Sequence, residues 1–190
     1  MPNWCNNTML VKGTPEQIEE FVEQMVSNSE KGDHTDVSAL DFDAVVPMPR
    51  VLRGRTSPAD DGSITWYDWA IDNWGTKWNA CAVHIEQYTK GDNSALYHYK
   101  TAWSPAEHWQ MKVIECFPWL KFEFYWEEPD MNFCGGMKGK YGQWDDNWSR
   151  DHIEKTAYDH ELDKEREERE WELSGNDGYD PLFQTDGDDK

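Results

Sequence analysis

Apolar positions along this chain alternate between two periodicities, and their order predicts the fold. Met9-Leu10-Val11, just before Gly13, reads as a short buried strand. Thr14-Pro15-Glu16-Gln17 then supplies an N-cap hydroxyl, a proline at the first helical position and a glutamine at the third, a capping-box pattern that opens a helix. Ile18, Phe21, Val22 and Met25 recur at i, i+3, i+4 and i+7, so one face turns inward, and the polar Ser27-Asn28-Ser29 ends the helix, which is predicted over about 15–26. Ala82–Tyr88 and Leu96–Thr101 are β-rich runs on either side of Lys90-Gly91-Asp92-Asn93, a hairpin signal. Ser104-Pro105-Ala106-Glu107 repeats the capping logic ahead of a stripe of Trp109, Val113, Cys116 and Phe117, and Pro118 stops that helix, predicted over about 105–116. In Leu120–Trp126 the apolar positions 120, 122, 124 and 126 alternate with 121, 123 and 125, the period of a strand with one face buried.

Strand, helix, strand, strand, helix, strand is the split βαββαβ unit of the ferredoxin-like fold, an α+β architecture with an antiparallel sheet and both helices on one face. The other face then needs a cover. Residues 30–79 are long and irregular, with Pro47, Pro49, Pro58 and Arg53-Gly54-Arg55, and are expected to be an insertion over that open face with a short helix near 66–74. Gly135, Gly136, Gly139 and Gly142 predict a glycine-rich hairpin or loop beside the last strand. The domain is expected to occupy 1–150, followed by a charged helix over 151–173 and an acidic, disordered tail over 174–190.

Length changes this picture little, since 190 residues hold one principal domain plus appendages. Charge changes it more. The formal net charge is −20, and residues 151–190 carry 15 Asp and Glu against 5 Lys and Arg, half of that total. Phosphate backbones are repelled at long range and basic protein surfaces attracted, which disfavours sequence-independent nucleic-acid binding. Cys5, Cys81, Cys116 and Cys134 are dispersed with no C-x-x-C pair and read as reduced thiols. The first residues have no basic-then-apolar signal pattern, and no apolar run is long enough to span a bilayer, so the expectation is a cytoplasmic protein.

Candidate chemistry centres on Asp72-Asn73-Trp74-Gly75-Thr76-Lys77-Trp78, which sets two indoles, an amide, a hydroxyl and a lysine around one glycine in a chain with 12 Trp. Trp is large, rigid and half polar, and Asn, Thr and Lys orient a ligand, so this mixture suits a binding surface. Asn73, Trp74, Thr76, Lys77, Trp78 and Trp103 are the predicted ligand-binding residues, lining a cavity on the open sheet face. The competing reading is that the segment merely turns the chain and pins the insertion, its indoles filling core. Asp68 and Asp72, at i and i+4, with His84 and His98 on neighbouring strands, suggest a weaker metal or acid–base site. No Walker, G-x-S-x-G, G-x-G-x-x-G or H-E-x-x-H pattern occurs, so no catalytic residue, metal or cofactor is assigned.

The opening Met1-Pro2-Asn3-Trp4-Cys5-Asn6-Asn7, the Asn73–Trp78 block, Thr101-Ala102-Trp103-Ser104-Pro105 and Phe133-Cys134-Gly135-Gly136 resemble the YubB ferredoxin-like domain family carried by phages and plasmids. The resemblance spans about residues 1–140, implies the fold and a mobile-element origin, and supplies no activity to transfer. The function it suggests is an accessory protein that binds, capturing a small nucleotide-like host ligand or signal as a counter-defence factor. Two alternatives stand beside it. One is an acidic DNA mimic that inhibits a basic host protein through Glu165–Glu172, although Glu165 with Arg169 and Arg166 with Glu170 pair at i, i+4 and also fit a solvated helix. The other is a small metal- or acid/base-dependent hydrolase.

Overall fold

The computed structural model of the protein describes residues 2–26 and 39–151, with side chains up to residue 144. The predicted charged helix and tail lie outside the described residues. Strand β1 (Trp4–Lys12) leads into helix α1 (Pro15–Met25), and two 3-10 turns (Phe42–Ala44 and Arg50–Leu52) precede α2 (Trp66–Trp74). Then follow β2 (Cys81–Gln87), β3 (Ser94–Ala102), α3 (Glu107–Cys116), β4 (Lys121–Glu128), β5 (Phe133–Lys140) and β6 (Gln143–Asp151).

All pairings are antiparallel, in the order β2-β3-β1-β4-β5-β6. The first four strands reproduce the order of the split βαββαβ unit, and β5 and β6 extend it beyond β4. Both predicted helices lie on one face. Phe21 of α1 meets Tyr97, Phe117 and Phe122 edge-on, at centroid distances of 6.1, 5.0 and 5.7 Å. From α3, Gln110 Nε2 donates to the Tyr99 hydroxyl at 3.4 Å, and Ile114 lies against Gly139, the register partner of Phe122. Cys5, Met9 and Val11 on β1, Tyr97 and Tyr99 on β3, and Phe122, Phe124 and Trp126 on β4 form the floor of this core, as strand alternation requires. The cap of α1 forms as the sequence predicts: Gln17 N donates to Thr14 Oγ1 and Thr14 N to Gln17 Oε1 at 2.9 Å.

Three expectations are corrected. The described part of the insertion, from residue 39 on, packs in the helix layer and not over the opposite face of the sheet. Phe42 stacks on Trp109 at 4.4 Å and meets Tyr99 edge-on, while Trp74 stands edge-on to Phe42 at 5.9 Å. The reason is chemical: Leu40, Phe42, Ala70 and Trp74 need apolar partners, and the opposite face presents Asn6, Thr8, His98, Lys100, Glu123 and Glu127 along with Trp4, Leu10, Leu96 and Tyr125. That face is mostly polar, as a one-sided antiparallel sheet allows. Secondly, of the expected hairpin or loop the hairpin forms, β5 with β6, but most of its glycines lie inside strand β5 rather than in the turn. A Cβ at Gly139 would come within 2.4 Å of Ile114, so glycine there lets α3 settle onto the sheet; only Gly142, with Tyr141, makes the β5–β6 turn, at φ +73° and +56°. Thirdly, Ser104 does not cap α3. The helix starts two residues later behind Ala106, which makes no side-chain cap, and the Ser104 hydroxyl donates to the Gly75 carbonyl at 2.7 Å.

Candidate functional site

Helix α2 sets the candidate residues. Thr65 and Asp68 form a capping box: the Thr65 N–H and hydroxyl donate to Asp68 Oδ2 at 2.9 and 2.7 Å, and these bonds hold the Asp68 carboxyl below its ordinary value. Asp68 is thereby spent on a helix start, a role that the i, i+4 spacing to Asp72 concealed. At the other end Gly75 takes a left-handed conformation, φ +84°, and its N–H donates to Ala70 and Ile71 carbonyls. A side chain at 75 would also stand 3.2 Å from the backbone nitrogen of Glu107, so the close approach of α2 to the start of α3 also favours glycine.

This turn sorts the six predicted residues into two groups. Asn73, Trp74 and Thr76 face the body of the protein. Trp74 is 4% exposed, its indole N–H donates to the Val46 carbonyl at 2.9 Å, and Trp69 stands edge-on to it at 5.3 Å. Thr76 is fully buried, and its hydroxyl donates to the Ala102 carbonyl at the end of β3, 2.9 Å away. Asn73 Nδ2 donates one turn back to Trp69 O at 2.9 Å. Lys77, Trp78 and Trp103 reach the surface instead. Lys77 Nζ lies 4.6 Å from the Trp78 ring centroid and 5.9 Å from that of Tyr67, distances at which a cation is attracted to a π face. Trp78 is half-buried against Trp4, 6.1 Å away, and Trp4 shares the strand face of Asn6 and Thr8. The insertion therefore reaches Trp4, on that strand face, through its last aromatic. Trp103 is 44% exposed and holds φ +72°, a conformation rare for a bulky residue, while its N–H donates to Asn3 O at 3.0 Å.

Trp4 and Tyr67 are the members of this surface that sequence reasoning missed. Tyr67 had a local signal, lying one residue after Trp66 on the predicted short helix. Trp4 had none, because 74 residues separate it from Trp78 and only the sheet brings them together.

A buried polar row lies under the same end of the sheet. Asn7 Nδ2 donates to Cys5 O at 3.0 Å and to Thr101 Oγ1 at 2.9 Å, and Thr101 Oγ1 donates to Ser104 O at 2.7 Å. Burial pushes the Cys5 thiol up to about 12, against a partial opposing effect of its hydrogen bond with Thr101. Cys5 is thus a protonated core thiol and not a nucleophile.

On the polar face, His84 and His98 are register partners across β2 and β3. His98 Nδ1 lies 3.3 Å from Thr8 Oγ1, and its Nε2 lies 2.6 Å from Glu86 Oε2.

The sequence model for the ferredoxin-like domain of Api92-like proteins matches residues 73–171, starting at Asn73 itself. The crystal structure of a protein api92 from Yersinia pseudotuberculosis superposes with a TM-score of 0.61 over 79% of this chain and 98% of that one, at 8% identity, which shows a shared fold. No curated protein matches the chain. No helix among the described residues is long and apolar enough to cross a membrane. With more than half of its length matched by that family's model, the chain belongs to the family of Api92-like proteins and carries their ferredoxin-like domain.

Proposed function

We propose that this protein acts by binding, and that the surface formed by Lys77, Trp78, Tyr67 and Trp4 takes a small, planar, anionic ligand of the nucleotide class. The observation that carries the reading is the lysine ammonium held over two aromatic rings at the surface of a chain of net charge −20. A base stacked on an exposed aromatic gains about 1–3 kcal/mol, and the ammonium offsets the phosphate locally. The long-range field still disfavours an extended polyanion, so a mononucleotide or cyclic dinucleotide suits the site better than a nucleic-acid strand. Trp103, exposed and held in a conformation unusual for its size, follows the Ala102 carbonyl that anchors Thr76 and supplies a further ring at this end of the sheet. Trp74 and Thr76 hold the segment in place from below.

The resemblance to the YubB family of phage and plasmid proteins supports placing this binding in the service of a mobile element, where sequestering a host signalling nucleotide would act as counter-defence. Calorimetric titration of the full chain with adenosine monophosphate and with cyclic dinucleotides tests the reading. Saturable binding is expected, weakened at least tenfold, about 1.4 kcal/mol, by Trp78→Ala and by Lys77→Ala, with far-UV circular dichroism unchanged. No binding of any of these nucleotides at millimolar concentration, or variants that bind like the parent, would reject it.

A further inference from the structure

The foot of the open sheet face, about 27 Å along β1 from Trp4, carries a charge opposite to that of the chain. We infer that Lys12, Lys121 and Lys140, with Lys138 beside them, form a second binding site, for the polyphosphate group of a small ligand. It stands independently of the aromatic surface.

Register puts the three lysines in one line. Ser94, Lys12, Lys121, Lys140 and Gln143 are successive partners across β3, β1, β4, β5 and β6. Their chain neighbours Val11, Phe122 and Gly139 are buried on the core side, so all three lysine side chains leave the other face. Directly opposed side chains have Cβ atoms about 4.5–5.5 Å apart, and like charges so placed destabilise a sheet. Here the unfavourable pair occurs twice, with Lys121 in both. The row contains no carboxylate. The row above it runs Leu96, Leu10, Glu123, Lys138 and Asp146, and Lys12 Nζ lies 3.4 Å from Glu123 Oε1. The two rows together hold four lysines against two acids, in a chain whose acids outnumber its bases 38 to 18.

Edge protection does not account for them. Lysine commonly blunts an exposed edge strand, but β1, β4 and β5 each have a strand on both sides. What a row of opposed ammonium groups lacks is a counter-charge, and a polyphosphate supplies several negative charges along one line. Neighbouring strands are about 4.8 Å apart, so three span about 10 Å, and the flexible four-carbon stems let the ammonium groups close on a shorter anion. Lysine binds phosphate as a point charge and asks for no fixed geometry. Repulsion from the rest of the chain is screened beyond about 8–10 Å, so the local charge decides for a ligand this small. Two exposed rings flank the row in sequence: Tyr141, 76% exposed, directly follows Lys140, and Trp119, 48% exposed, stands two residues before Lys121. A Cβ at Gly142 would lie 3.3 Å from that of Pro118, so the turns that carry these rings touch. They offer a nucleoside attached to the polyphosphate a face to stack on.

The test is calorimetric titration of the full chain with inorganic tripolyphosphate, at low salt with EDTA present, and in a second arm with a nucleoside triphosphate. One saturable site with a Kd below about 100 μM is expected for tripolyphosphate, weakened at least tenfold by Lys121→Gln and less by Lys12→Gln or Lys140→Gln. Lys100→Gln, on the same face toward the other end of β3, should leave it unchanged. Tighter binding of the nucleoside triphosphate, with the gain lost in Tyr141→Ala, identifies nucleotides as the source, and equal binding identifies the bare polyphosphate. Thermal unfolding supplies a second readout. Without ligand at low salt, Lys121→Gln should melt above the parent, because it removes both opposed pairs, and tripolyphosphate should raise the midpoint of the parent but not of Lys121→Gln. The inference fails if tripolyphosphate does not bind saturably, if Lys121→Gln and Lys100→Gln weaken it equally, or if Lys121→Gln melts below the parent while binding as tightly.

Discussion

Trp74→Ala separates the two meanings of the aromatic segment, because the structure places Trp74 and Trp78 on opposite sides of Gly75. The indole at 74 is 4% exposed, meets Phe42 and Trp69 edge-on, and satisfies the Val46 carbonyl. Removing a buried tryptophan costs about 3–5 kcal/mol from lost transfer energy and the cavity left behind, and an orphaned carbonyl keeps the cost toward the upper end. For a domain whose whole stability is about 5–15 kcal/mol, that is a large share. With a urea m-value of about 2 kcal/mol/M, a loss of 4 kcal/mol lowers the midpoint by about 2 M. Trp74→Phe keeps the ring against Phe42 and gives up the hydrogen bond, for a loss of about 1–3 kcal/mol. Trp78→Ala removes a half-buried ring and should cost less than half of what Trp74→Ala does. Far-UV circular dichroism is the proper probe, since the 11 other tryptophans crowd the fluorescence. A midpoint shift below about 0.5 M for Trp74→Ala, or a larger shift for Trp78→Ala, would refute the assignment of Trp74 to the core.

Gly139→Ala should destabilise by about 1–3 kcal/mol, because its methyl meets three Ile114 atoms at 2.4–2.8 Å; in an Ile114→Ala background the same change should cost at least 1 kcal/mol less, and a strictly additive urea-denaturation cycle would contradict the packing. Stability should fall as pH rises from 9.0 toward 12, since the Cys5 thiol, raised by burial, stays protonated in the fold while the unfolded chain ionises first; Cys5→Ala should flatten that alkaline slope, as read from urea midpoints across the range.

How much of this was legible in the sequence depends on how far apart the interacting residues lie. The α1 cap is written in four consecutive residues, and the alternation of Leu120–Trp126 in seven, so both could be read directly. The strand order followed because the sequence of periodicities admits few topologies once connections are required to be short. The side on which the insertion packs was not legible, since it depends on Phe42 meeting Trp109 and Tyr99, residues 57 or more positions away. Ser104 misled for a related reason: its local spacing announces a helix cap, and a carbonyl 29 residues earlier takes its hydroxyl instead. The glycines of β5 announced the β5–β6 hairpin but not their places within it, because a glycine that admits a neighbouring helix looks, in sequence, like one that makes a turn.

The aromatic segment shows where composition stops being informative. Tryptophan, threonine and asparagine serve a buried lock as well as a binding surface, because each combines packing area with a group that needs one hydrogen-bond partner. What divides them here is one left-handed residue. Gly75 ends α2 and reverses the chain, so that Trp74 and Thr76 find their acceptors, Val46 O and Ala102 O, inside the protein, while Lys77 and Trp78 emerge beside Trp4 and Tyr67. The buried pair fixes where the exposed pair can stand. In the binding reading proposed above, a surface held that firmly from below would lose little side-chain freedom on meeting a ligand, so the buried lock is compatible with an exposed binding surface on the same seven residues.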